Sequence, residues 1–254
     1  MPVFIGIDLA WQSNKNHSGG AVLRGDQSGV EIQEISSELT TLSDVEAFIL
    51  RNSSDDTVVA IDAPLIIQNT HRQRPCEREI GRRFGAADAS AHTSNKTLYP
   101  NAGSVLLARD LEGQGFQHCP RPHKRHLSGK WFFEVYPHPA HVVLFNRSRI
   151  IKYKKGRVAS RKSGLVEFRE GFREYLCKSE PPLIVNSMLQ SFLDLSLDTL
   201  KGTTLKHYED KLDAILCAYL AAYFWAWSYD RNEMIGNHET GYIINPKKEV
   251  TLLN

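Results

Sequence analysis

Residues 57–61 form an unbroken, largely β-branched apolar run that stops at Asp62-Ala63-Pro64. A strand without polar alternation needs cover on both faces, which predicts a central position in a mostly parallel sheet. Pro64 has no amide donor for a ladder and ends the strand just past the acid. Residues 3–7 are also β-rich and run directly into Asp8.

Around these two runs the remaining elements fall into order. Residues 3–7, 20–24 and 30–35 are short β-rich runs separated by turn-forming stretches that contain Asn14, Gly19, Asp26 and Gly29, and they read as an antiparallel meander. Ser43 and Glu46 have the spacing of a capping box, and Val45, Phe48 and Ile49 then recur at helical spacing up to Arg51. The order β-β-β-α-β sends strand 57–61 back to lie parallel beside the first strand, so Asp8 and Asp62 are expected at the same sheet edge.

Residues 66–130 read as an insertion over that edge. It carries helices at 75–84, with proline in the first turn and Gly85 after the end, and at 104–112. A strand is expected at 131–136, helices at 164–176, 183–200 and 205–227, and a short strand at 242–245. No repeat, low-complexity tract or linker divides the chain. The expectation is one α/β domain over residues 1–254: a mixed five-stranded sheet flanked by helices, a helical insertion between strands 4 and 5, and a helical C-terminal half.

Composition adds limits. With 254 residues, 41% hydrophobic and 24% charged, a sizeable core is available. The N-terminus reads as a strand, without the charged, apolar and small-residue series of a signal peptide. The longest apolar run, residues 215–227, is shorter than the ~20 residues of a membrane span. Cys76, Cys119, Cys177 and Cys217 are scattered without a CxxC pair, as suits reduced thiols. A cytoplasmic protein without membrane association is expected.

Four acidic positions share one context: Asp8, Asp62, Glu134, and the pair Asp210 and Asp213. The first three lie at the ends of apolar strands, where a lone charge is costly unless paired or liganded. Asp210 and Asp213 are three apart, so both project from one helix face and repel unless a cation sits between them. Hard oxygen donors without adjacent His or Cys favour Mg²⁺ or Mn²⁺. Two such ions roughly 3.5–4 Å apart activate water and stabilise the departing oxygen of a phosphodiester. Each acid alone is also consistent with a turn former or a helix-dipole partner.

Gly6-Ile7-Asp8-Leu9-Ala10-Trp11, Ala60-Ile61-Asp62-Ala63-Pro64-Leu65, Arg74-Pro75-Cys76-Glu77-Arg78-Glu79, Glu134-Val135-Tyr136-Pro137 and Glu209-Asp210-Lys211-Leu212-Asp213-Ala214 together resemble the landmarks of domain-of-unknown-function family 429. That family is regarded as predicted nucleases of ribonuclease-H-like fold. The resemblance spans most of the chain in the right order. Asp-x-x-Asp-Ala on the last helix also resembles the Holliday-junction resolvase pattern. It implies a two-metal nuclease in which Asp8, Asp62, Asp210 and Asp213 are ligands and Glu134 is a further ligand or water-orienting base. Glu209 stands where many members of the family carry Asp, and its role is open.

The net charge of +2 conceals an asymmetry, with twelve Lys or Arg against the single acid Glu134 between 118 and 162. A polyanionic partner, nucleic acid, is expected over that surface. Lys152, Lys154, Lys155, Arg157, Arg161 and Lys162 flank Tyr153 and suit phosphate contacts. Arg74, Arg78 and Arg82 recur every four residues and form a ridge for a phosphate near the metals, or pair with Glu77 and Glu79. His118, Cys119, His123 and His126 invite a zinc reading, but their spacing fits no standard site and favours a basic loop. Trp11 is expected to pack at a strand end or to stack on a base, and Tyr219, Tyr223, Phe224 and Trp227 to be core.

Two rivals share the fold. A nucleotide phosphotransferase of the actin and sugar-kinase type also places Asp on its first strand, but Asp8-Leu9-Ala10-Trp11 lacks the Gly-containing phosphate turn. A catalytically silent nucleic-acid-binding module would bind with strong salt dependence and never turn over.

Overall fold

The structure, a computed structural model, describes residues 1–11, 16–118 and 125–248. In chain order the elements are β1 (Val3–Asp8), β2 (Ser18–Asp26), β3 (Gly29–Leu39), α1 (Leu42–Asn52), β4 (Thr57–Asp62), α2 (Pro75–Phe84), α3 (Gly103–Gly113), β5 (Gln117–His118), β6 (Lys130–Glu134), α4 (Pro137–Leu144), α5 (Val158–Glu174), β7 (Leu183–Ile184), α6 (Ser187–Leu193), α7 (Gly202–Arg231), β8 (Asn232–Asn237) and β9 (Gly241–Pro246).

The main sheet has seven strands in the order β5-β6-β4-β1-β2-β3-β7, not the five expected. Its centre is as the β-β-β-α-β order predicts. β1, β2 and β3 form the antiparallel meander, and β4 returns parallel to β1. The additional strands β5 and β7 are two residues each, too short for periodicity to reveal. β8 and β9 form a separate hairpin that touches the main sheet through a bridge between Val135 and Ile244.

Side chains alternate across the sheet and build two cores. Val3, Ile5, Ile7, Val59 and Ile61 face α1 and α3, whereas Phe4, Val58 and Ala60 face α5 and α7. Asp8 and Asp62 continue the even-numbered sets and therefore point toward α7.

Several boundaries differ from the sequence reading. The N-cap of helix α1 lies two residues earlier than expected: Thr41 is the cap, its hydroxyl accepts from Asp44 N at 3.1 Å, and Asp44 reaches back to the Thr41 amide. The Ser43 and Glu46 spacing is coincidental. The helix expected over 183–200 is a short strand followed by α6, because Pro181 and Pro182 precede an extended pair and Asn186 caps a new helix through a bond from Leu189 N. Helix α7 is interrupted at Ser228, whose φ of 44° lies outside the helical region. Tyr219, Tyr223, Phe224 and Trp227 are buried on it, as their spacing predicts. Among the described residues no helix is long and apolar enough to cross a membrane.

Candidate active site

Asp8 and Asp62 are register partners at the ends of adjacent parallel strands. Helix α7 faces them because it lies directly on the sheet. A Cβ at Gly6 would overlap Ala214 O and Ala218 N, and one at Gly19 would overlap Asp210 O. Glycine on the strands and alanine on the helix thus permit an approach that carries Asp210 and Asp213 onto the two strand-end acids. Ser18 accepts a bond from Ala10 N at 3.1 Å and fixes the chain just beyond Asp8.

The helix acids are buried and partnered. Asp213 is 0% exposed, accepts from Tyr153 Oη at 2.6 Å on Oδ1, and has Lys154 Nζ 2.9 Å from Oδ2. That second contact is an ion pair outside hydrogen-bond alignment. Asp210 pairs with Lys206, which also reaches Glu209 at 3.0 Å, and Arg161 holds the other Glu209 oxygen at 3.0 Å. Glu209 therefore has an occupation, balancing two cations at the rim.

Burial is the main cause of the raised pKa of Asp8, Asp62 and Asp210, with the acids acting on one another against the lysines. Asp210 is pushed up to about 8. Asp8 is, after burial, the largest influence raising Asp210. Burial opposes the charge on Lys154, yet Asp213, Tyr153, Asp8 and Asp62 hold its ammonium well above the usual range.

Among the described residues no group of three or more His, Cys, Asp or Glu side chains is placed to hold a metal ion. The donor set nevertheless suits a hard cation. Oxygen donors converge from β1, β4 and α7; on the helix Asp213 is paired with Lys154 and Asp210 with Lys206, whereas among the described residues Asp8 and Asp62 have no ion pair of their own.

Glu134 departs from the expectation. It is in register with Ile61, not Asp62, so alternation turns its carboxylate away from α7, although it still lines the same cavity as Asp8 and Asp62. There it receives both guanidinium arms of Arg74, at 2.8 and 2.6 Å, and Leu65 N at 3.0 Å. Arg74 is only 2% exposed and also donates to Glu77 at 2.8 Å. Glu134 is thus a structural ion-pair partner rather than a free ligand or base. Arg74 likewise is no phosphate ridge. Of its expected companions, Arg78 donates to Gln73 O and the exposed Arg82 is paired with Glu79.

A cavity of about 500 Å³ opens over the strand-end acids and is lined by Asp8, Asp62, Trp11, Tyr136, His138 and Lys154 among others. Lys152 and Lys155 are exposed on its wall, and Arg157 is exposed two residues farther along the chain. Arg161 is committed to Glu209, and Lys162 to Asp198 O. Trp11 is half-buried and meets Tyr99 edge-on at 4.5 Å.

Sequence reasoning missed Lys206, Tyr136 and His138, and read Tyr153 only as an aromatic within the basic segment, whereas it is fully buried and bonded to Asp213. Lys206 was legible, being four residues before Asp210 on one helix. The Tyr136 hydroxyl lies 3.1 Å from Ser90 O and 3.0 Å from His138 Nδ1. Ser90 O can only accept, so the Tyr136 proton goes there, His138 donates from Nδ1, and Nε2 keeps its lone pair. Burial lowers His138 to about 3, so it is neutral at pH 7.

The Cys/His loop is only partly within view, because Cys119 and His123 lie outside the described residues. His118 stacks on Phe132, and burial lowers it to about 3, while His126 stacks on Trp225 in another place.

Neither the curated proteins nor the solved structures compared with this chain gave a match. A family profile matches residues 6–233, a span that includes both strand-end acids and the whole of α7. The chain belongs to the family described as Protein of unknown function (DUF429).

Proposed function

We propose that this protein is a divalent-metal-dependent phosphodiesterase acting on nucleic acid, on a ribonuclease-H-like core made of β3, β2, β1, β4 and β6. The reading is carried by one observation: Asp8 and Asp62 stand side by side on the sheet face toward α7, and Asp210 and Asp213 approach them from the helix. Two apolar strands and the helix that covers them have no need of four such acids for folding. The raised pKa values mark an electrostatic cost, as expected where function requires the cluster.

Asp8, Asp62 and Asp210 would hold Mg²⁺ or Mn²⁺. When bound, the ion supplies Lewis acidity toward a phosphoryl oxygen and a water acidified for attack. Asp213 orients Tyr153 and Lys154. Lys152, Lys155 and Arg157 supply the phosphate-backbone contacts that position a strand across the cavity. His138, neutral and with its tautomer set by Tyr136, offers Nε2 as a hydrogen-bond acceptor on the cavity wall.

Asp8→Asn tests the reading. The variant is expected to fold as the unaltered protein does, by circular dichroism, and to lose Mn²⁺-dependent cleavage of labelled DNA or RNA. Unchanged cleavage by the folded variant overturns it. The pairing of Lys154 with Asp213 and of Lys206 with Asp210 favours a second reading, a nucleic-acid-binding module without turnover. Salt-sensitive binding with no cleavage under any divalent ion distinguishes that case.

A further inference from the structure

We propose that Lys154 takes the place of a second divalent ion, so that Asp8 and Asp62, with Asp210 across from them, hold a single ion. The inference rests on the metal-dependent reading and departs from the two-ion arrangement that the family resemblance implies.

Occupancy is the first argument. Both Asp213 oxygens are taken, one by the Tyr153 hydroxyl and the other by Lys154 Nζ. Tyr153 is fully buried and stacks on Phe168 at 4.5 Å with an interplanar angle of 9°. Asp213 is therefore locked toward the lysine and is a poor candidate to bridge two ions.

The lysine is delivered by a fixed segment. Ile151 N donates to His141 Nε2 at 3.1 Å, and Ile151 and Tyr153 are buried on either side of the exposed Lys152. Helix α5 presses on this stretch, since a Cβ at Gly164 would overlap Lys152 O. The Lys154 side chain is 27% exposed, so its ammonium faces the cavity from a supported backbone rather than a wandering loop.

Charge balance gives the second argument. Five carboxylates meet here: Asp8, Asp62, Glu209, Asp210 and Asp213. Three cations answer them, Lys154, Lys206 and Arg161. The deficit is two charges, which one divalent ion fills. A second ion would leave an excess of positive charge at a buried site.

Titration of the full chain with Mn²⁺ by calorimetry, with electron paramagnetic resonance on the same samples, decides the matter. One uncoupled Mn²⁺ per chain is expected. Lys154→Met should admit a second ion, giving two per chain with a spin-coupled spectrum, and should slow cleavage by about 100-fold. Lys154→Arg should keep one ion. Two coupled ions in the unaltered protein overturn the inference while leaving the metal-dependent reading intact. A folded Lys154→Met protein that still binds one ion also overturns it. If Lys154→Met does not fold, the stoichiometry of the unaltered chain decides alone. No Mn²⁺ binding by the unaltered chain overturns the metal-dependent reading itself, and this inference with it.

Discussion

Asp8 and Asp62 occupy the same register position on neighbouring parallel strands, both directed at α7, and burial raises the pKa of each. The metal-free protein therefore carries a repulsive pair. Asp62→Asn should raise its thermal midpoint and should also abolish the increase that Mn²⁺ gives the unaltered protein. Differential scanning fluorimetry with and without Mn²⁺ measures both effects. A variant that keeps the Mn²⁺-induced increase would contradict the role given to Asp62.

Asp210 makes the stability of the metal-free protein pH-dependent. Its folded pKa of about 8 exceeds its ordinary value, so its contribution to stability is complete below pH ~4 and is lost as pH rises toward 8. Asp210→Asn removes that loss. The variant should be more stable than the parent at pH 8, and the gap should close as pH falls to 4, as followed by urea unfolding across that range.

Gly6 is the point at which β1 and α7 touch. Gly6→Ala inserts a methyl group where helix backbone already stands, so at least the about 1–3 kcal/mol typical of overpacking should be lost. Because the same approach of α7 carries Asp210 toward Asp8, Mn²⁺ affinity should fall too. Normal stability in chemical denaturation would contradict this account of the helix placement.

Arg74 and Arg82 look alike in sequence and differ in the fold. Arg74→Met leaves Glu134 and Glu77 buried without their common cation and should cost about 3–5 kcal/mol. Arg82→Met removes only an exposed pair with Glu79 and should cost about 0–1 kcal/mol. Equal costs in denaturant unfolding would refute the buried role.

Lys152, Lys155 and Arg157 are exposed cations beside or near the cavity. Replacing each with alanine should weaken binding of a labelled oligonucleotide and lower the slope of log affinity against log salt by about 1 per residue, with Mn²⁺ affinity unchanged. An unaltered salt slope would remove this segment from the interface.

The centre of the fold was legible because its strands are unbroken apolar runs and the crossover rule fixes how β4 returns to β1. The meeting of Asp8 with Asp62 followed from that rule alone. Glu134 shows where such reading stops. That an acid ends a strand is visible in sequence, but which face it takes depends on strand register, and β6 is set one residue away from presenting Glu134 beside Asp62. The strands β5 and β7 were invisible because two residues carry no period. Tyr153 and His138 join the site through tertiary packing of α4, α5 and the segment between them, which local pattern does not encode.

Anomalous diffraction from crystals soaked in Mn²⁺ tests most directly whether these carboxylates share a cation. The account predicts a peak within coordination distance of Asp8 and Asp62 oxygens, with Lys154 still seated on Asp213. An absence of any peak there at saturating Mn²⁺ would contradict it.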